Sequence, residues 1–201
     1  DTPSSRGLGD VYKRQVNDFA YSDVYFEKNK PPSLLASDKN LKHSVELYSL
    51  TKGYSMAGWR VGFAVGNSDA VGALTKLKSY IDYGTFQPIQ IASTVALNEL
   101  DDYPFELSTV YKERRDLVQE YLEDLEFIVQ ESDATMFVWA KLPKRFNKDS
   151  LKFSLDILEK SNVAISPGIG FGKFGEGHIR IALVENKQRI RQAMKNIKAA
   201  L

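Results

Sequence analysis

The sequence predicts a mixed fold, an α/β unit followed by a smaller α+β unit. In the first part, short Gly-bounded runs rich in β-branched and aromatic residues alternate with helical patterns. A long helix follows residues 101–103, and after it the order changes to short strands with two further helices among them. Apolar residues make up 43% of the 201 and charged residues 26%, a balance that can bury a core.

Residues 16–22 (VNDFAYS) read as a short buried strand with its C-terminal loop, and Pro31, Pro32 and Ser33 mark a further loop. Residues 45–49 (VELYS) and 61–66 (VGFAVG) read as strands, with Lys52 between them. Asn67-Ser68-Asp69 is a helix-start signal, followed by Val71, Leu74 and Leu77 at helical spacing. Tyr83-Gly84-Thr85 interrupts that pattern. A second helix is predicted over 88–100, stopped by Asp101-Asp102. A third is predicted over 104–125 with Leu107, Val110, Leu117, Val118 and Tyr121 on its apolar side. Strands are expected at 127–129, 136–141, 163–166 and 178–183 (HIRIAL), and a helix over 150–160. A Gly-rich loop fills 167–177. A closing helix over 185–201 turns Ile190, Met194 and Ile197 inward. The two units are therefore expected over 16–102 and 103–201.

Residues 1–15 (DTPSSRGLGDVYKRQ) show no periodicity and are dominated by Gly, Ser, Pro and basic residues. They resemble a translated sequencing-adapter scar, or else a disordered tail, and are set aside from fold reasoning.

A formal net charge of +1 gives no electrostatic case for nucleic acid or an anionic membrane. Without cysteine there is no disulfide and no thiolate metal site. His43 and His178 lack the company a metal needs, so no metal is expected. No apolar run reaches membrane-spanning length and no signal peptide is visible, so a cytoplasmic protein is the expectation.

The chemistry concentrates in residues 49–62, SLTKGYSMAGWRVG. Lys52 lies three residues after Ser49 and eight before Arg60, in Gly-rich, apolar surroundings. A lysine amine can form a Schiff base with a carbonyl cofactor. Ser49 by its hydroxyl and Arg60 by its planar fork can hold a phosphate. An amine for an aldehyde and a Ser–Arg pair for a phosphate together point to pyridoxal 5′-phosphate (PLP).

These residues, with DFAYSD at 18–23, SYIDYGTFQPIQ at 79–90, SPGIGFG at 166–172 and HIRIALVEN at 178–186, resemble the fold-type-I PLP-dependent aminotransferases of class I/II. Within them the likeness is to bacterial alanine (glutamate–pyruvate) transaminases. It runs from Val16 to Leu201 and matches the C-terminal half of that family. It implies the end of a PLP-binding large domain, a mostly parallel sheet flanked by helices, and then a small C-terminal domain. It further implies that Lys52 is the Schiff-base lysine and the acid–base group. Asp18 would pair with the pyridine nitrogen and Tyr21 with the phenolic oxygen of the cofactor. Ser49 and Arg60 would hold its phosphate. Arg180 would grip the substrate carboxylate. Gly168, Gly170 and Gly172 would lie in a mobile loop near the substrate entrance, their spacing being wrong for a dinucleotide loop. Tyr83, Gly84 and Thr85 would reach a neighbouring subunit, which implies a homodimer.

The family's N-terminal half, with its PLP-stacking aromatic ring and phosphate loop, has no counterpart in these residues. The fragment alone is expected to bind PLP weakly. The activity implied is transfer of an amino group between an L-amino acid, alanine or glutamate, and a 2-oxo acid. LL-diaminopimelate or another amino acid as substrate, a PLP-dependent C–S lyase, and the aminotransferase-like domain of a transcription regulator are the competing readings.

Overall fold

A computed structural model describes residues 14–26, 30–146 and 149–201. Residues 1–13 of the expected scar or tail lie outside the described residues, whereas Gln15 belongs to the first strand. The chain divides into two compact units between Phe105 and Glu106.

The first unit is built on a three-stranded sheet of order β1-β2-β3, with β1 Gln15–Asp18, β2 Ser44–Ser49 and β3 Gly62–Gly66. β1 runs parallel to β2, with Asp18 opposite Leu47. β3 runs antiparallel to β2, with Ser49 opposite Gly62. A parallel pair needs a long crossover, and here it is pinned by carboxylates. Glu46, buried on β2, accepts from Asn17 Nδ2 (3.0 Å), Ser33 Oγ (3.0 Å) and the Leu34 amide (2.7 Å). Asp38 accepts from the amides of Lys42, His43 and Ser44 and from the Ser44 hydroxyl. These bonds pull the Asp38 carboxyl down to a pKa of about 2, the His43 amide contributing most.

The single-turn helix α1 (Leu50–Gly53) follows β2 directly. Leu50 anchors it in a small core with Met56 and Ala96, lined by Tyr48, Tyr54, Val61, Ala92 and Leu97. Helix α2 (Ser68–Ile81) starts where the sequence signal places it, and Asn67 caps it by accepting from the Ala70 amide. Helix α3 spans Gln87–Glu99, with Pro88 in its first turn.

Two expectations need correction here. The 16–22 strand is not buried: only Gln15–Asp18 pairs, and Val16 is 62% exposed. Its apolar letters fit a sheet face that the first unit leaves open. The Leu74 and Leu77 stripe of α2 is exposed as well. Periodicity marks an apolar face but does not say what covers it.

Helix α4 (Tyr103–Asp124), most of it in the second unit, buries Ser108, Tyr111, Val118 and Leu122. This is the second correction: the apolar side is rotated from the one read in the sequence, and Val110 is exposed. Positions 108, 111, 118 and 122 follow a three-and-four spacing that admits a serine as readily as a leucine.

The second unit packs helices against a four-stranded antiparallel sheet of order β4-β5-β7-β6. Its strands are β4 Ile128–Val129, β5 Phe137–Lys141, β6 Ser166–Pro167 and β7 His178–Ala182. Helices α5 (Ser150–Ser161) and α6 (Lys187–Ala200) contribute Phe153, Ile157, Ile190, Met194 and Ile197 to the core. Val118, Leu122, Val138, Ile179 and Leu183 complete it, all nearly inaccessible. The 163–166 strand shrinks to two residues, because Asn162 closes α5 in the left-handed conformation (φ 54°). The 167–177 loop contains two 3-10 turns, Gly168–Phe171 and Lys173–Gly175. They touch so closely that a Cβ on Gly168 or Gly175 would lie 2.0 Å from the other's carbonyl oxygen.

Candidate active site

In the first unit, β1 and β2 point the same way, so Asp18 and Ser49 both stand at the carboxyl edge of the sheet. That edge is where open α/β sheets take ligands. Asp18 Oδ1 accepts from the Ala20 amide (3.3 Å), which turns the chain back over the edge. Tyr21 on that turn presents its ring to Lys52, whose Nζ stands 5.3 Å from the ring centroid. Lys52 is half-buried on α1 and forms no hydrogen bond or ion pair among the described residues.

Ser49 caps α1, its Oγ accepting from the Thr51 amide (3.2 Å), and the hydroxyl proton is left to donate. Arg60 lies on the turn between β2 and β3, two residues before the Gly62 that pairs with Ser49. Its backbone is left-handed (φ 53°), and its Nη1 donates to the Ala57 carbonyl (3.2 Å), leaving other donors exposed. Asp18, Tyr21, Ser49, Lys52 and Arg60 thus share one edge of the first unit.

Asp23 and Tyr48 were not singled out from the sequence. The Tyr48 hydroxyl donates to Asp23, whose carboxylate fills the space a side chain at Gly53 would need, 2.8 Å from the site of a Cβ there. The loop bearing Tyr21 is thereby tied to the helix bearing Lys52. Burial, then the Asp23 carboxylate, drives the Tyr48 phenol far above its ordinary range. The closing Asp of DFAYSD was the only signal for Asp23, and a signal was lacking for Tyr48, whose hydroxyl contact leaves no periodicity.

In the second unit, Arg180 occupies the middle of β7, opposite Trp139 on β5 and Ser166 on β6. Its guanidinium lies 4.1 Å from the Phe137 ring centroid and 4.2 Å from that of Phe171. Arg180 Nε is buried with no hydrogen-bond partner. Such an orphaned donor costs about 1–3 kcal/mol until something accepts from it. Trp139 also stacks on His178, with centroids 5.4 Å apart.

Tyr83 and Gly84 both take positive φ, 54° and 109°, and Tyr83 is 92% exposed. The Asp82 carboxylate accepts from the Gly84 amide, and Gln90 Nε2 donates to the Thr85 carbonyl (2.6 Å). Among the described residues no cluster of His, Asp and Glu could hold a metal, and no helix is long and apolar enough to cross a membrane.

A family model for aminotransferase class I and II matches residues 14–197. The glutamate-pyruvate aminotransferase AlaC of Escherichia coli (strain K12) is 43% identical over 185 residues, 92% of this chain and 45% of that protein. An LL-diaminopimelate aminotransferase of Natranaerobius thermophilus is 46% identical over 181 residues, 90% of this chain and 46% of that protein. A solved aminotransferase from Staphylococcus aureus matches with a TM-score of 0.85 at 34% identity, covering 98% of this chain and 52% of that one. The chain spans about half the length of the relatives it matches. It belongs to the class I and II aminotransferase family.

Proposed function

We propose that this chain supplies the lysine, the phosphate holders and the carboxylate grip of a PLP-dependent aminotransferase. The reaction moves an amino group between an L-amino acid, alanine or glutamate, and a 2-oxo acid. The observation that carries the proposal is the Lys52 amine over the Tyr21 ring, at the sheet edge that also holds Asp18 and Ser49.

The donor set fits the cofactor in kind. It offers an amine without an ionic partner, a carboxylate, a phenol, a hydroxyl with a free proton and a guanidinium with exposed donors. When bound, PLP supplies an aldehyde for an amine and a ring that draws electron density from the substrate α-carbon.

Lys52 Nζ would hold the cofactor through its aldehyde, with loss of water, and the freed amine would move a proton at the substrate α-carbon. The Asp18 carboxylate would pair with the ring nitrogen and the Tyr21 hydroxyl with the phenolic oxygen. Ser49 and Arg60 would hold the phosphate, the hydroxyl and the guanidinium both being donors. Arg180 would donate to the substrate α-carboxylate through its fork and so fix the α C–H. Tyr83, Gly84 and Thr85 reach across to a second subunit in a homodimer.

The likeness to the E. coli relative supports alanine and glutamate. The LL-diaminopimelate aminotransferases are matched as well, so a donor panel decides between them. The test uses a chimera that places this chain behind the N-terminal half of E. coli AlaC. Its absorbance spectrum with PLP is expected to show a visible band that L-alanine bleaches as pyruvate appears. Lys52→Ala should remove the band and lower turnover at least about 10²-fold, the low end of what a positioned acid–base group supplies. A band that ignores alanine and answers LL-diaminopimelate keeps the chemistry and changes the substrate. Release of pyruvate with ammonia from a cysteine conjugate would make it a lyase. A chimera with no visible band contradicts the proposal.

A further inference from the structure

We infer that Phe171 is a positioning residue for Arg180, holding the guanidinium flat against Phe137 so that a carboxylate meets a preset fork. The inference rests on the reading of Arg180 as the carboxylate-binding group. Trp139 stands opposite Arg180 across the β5–β7 pair, which makes Phe137 its diagonal neighbour on the same face. That register puts one ring against the guanidinium, at 4.1 Å. The second ring comes from the turn Gly168–Phe171, at 4.2 Å.

A planar cation between two ring faces is attracted to both. With two rings packed this close, the guanidinium has fewer directions open to a ligand, and its N–H edge is the part that can donate. That edge suits a planar two-oxygen anion. Two further observations point to such a ligand. Arg180 forms no ion pair among the described residues, and its Nε is buried without an acceptor. A buried donor without an acceptor is costly, and the stack orders a cation that the described residues of the second unit leave without an ion pair.

Phe171 is placed by its own supports. Its ring meets Trp139 edge-on, with centroids 5.6 Å apart. The turn that carries it is fastened to α5, because the Ile169 amide donates to Ser150 Oγ (3.1 Å). The close approach of Gly168 to Gly175 fixes its start. Phe171 remains 49% exposed, so it is the outer plate of the stack rather than a core residue.

The test needs no cofactor. In the ¹⁵N-labelled 201-residue chain, the Arg180 Nε–H signal is identified by its loss in Arg180→Lys and followed while propionate is added. The wild-type signal should lie upfield under the two rings and move with propionate. Phe171→Leu should weaken propionate binding about fivefold, the worth of one ring stacked on a cation. Phe171→Tyr, which keeps the ring, should stay within about twofold of wild type. The thermal midpoint of the leucine variant should match wild type, which separates positioning from folding. Phe171→Met is the second variant if the leucine chain melts early, with the same loss expected. Unchanged propionate affinity in a folded leucine or methionine variant overturns the inference and leaves the Arg180 reading standing. A wild-type signal that propionate never moves removes the Arg180 reading, and the inference falls with it.

Discussion

Lys52, Ser49 and Arg60 share a short stretch of chain, and the roles proposed for them go with three different backbones. Ser49 ends a strand, Lys52 rides the single turn that follows, and Arg60 takes a left-handed backbone and donates to the Ala57 carbonyl. Arg60→Lys keeps the charge and loses the fork. PLP affinity of the chimera should then fall about tenfold, the cost of one charge-assisted hydrogen bond, as read by fluorescence titration. Retained affinity would place the phosphate elsewhere. The sequence groups these three residues by type and spacing, and the family resemblance implies the roles proposed for them. The Phe137–Arg180–Phe171 stack was not legible. It depends on a strand register joining residues more than forty positions apart in sequence, and on a turn whose shape two glycines decide. Asp23 was visible as a letter in a motif. Its partner Tyr48 was not, since a hydroxyl reaching across a loop leaves no periodicity.

Elements were read well where capping and period agree. Asn67 before α2, and Ile190, Met194 and Ile197 on α6, stand as the sequence places them. Faces were read less well, because α4 buries a serine and a tyrosine where leucine and valine were expected. The turns of residues 168–175 carry a sharp prediction. Gly168→Ala would drive a Cβ against two carbonyl oxygens, at 2.0 and 2.6 Å. It should destabilise the second unit by about 3 kcal/mol, the scale of enforced backbone strain. A denaturant midpoint unchanged from wild type would mean that the turns can part. The loop before β2 gives a prediction in pH. Asp38 is held at about pKa 2 by the amides and hydroxyl around it, below its ordinary 3.8. A depressed carboxyl contributes stability above its unfolded pKa and loses it as pH falls through the folded one. Unfolding midpoints should therefore drop between about pH 3.8 and about pH 2. In Asp38→Asn the drop should be shallower, and an identical slope would remove Asp38 from the account.

At the scale of the molecule, the first unit leaves Leu77, Tyr80, Ile81, Tyr83 and Phe86 exposed along α2 and the turn after it. An apolar stretch of that extent is unusual on a surface that meets only water. The proposed homodimer would cover this stretch, Tyr83 included. The chimera should sediment as a dimer at micromolar concentration, and Ile81→Asp with Tyr83→Asp should shift it to monomer with its fold intact. A dimer indifferent to both changes would place the interface elsewhere. The sequence carried this surface as an apolar stripe, and it could not say that the stripe is open, because burial belongs to the assembled molecule.

The central claim is that Lys52 alone bonds the cofactor aldehyde, and one labelling experiment addresses it directly. The chimera is mixed with one equivalent of PLP, reduced with borohydride, digested and mapped by mass spectrometry. The account predicts a single modified peptide containing residues 49–60 with the label on Lys52, and no such peptide from Lys52→Ala. Label spread over other lysines, or stoichiometric label on one of them with Lys52 unmodified, would contradict it.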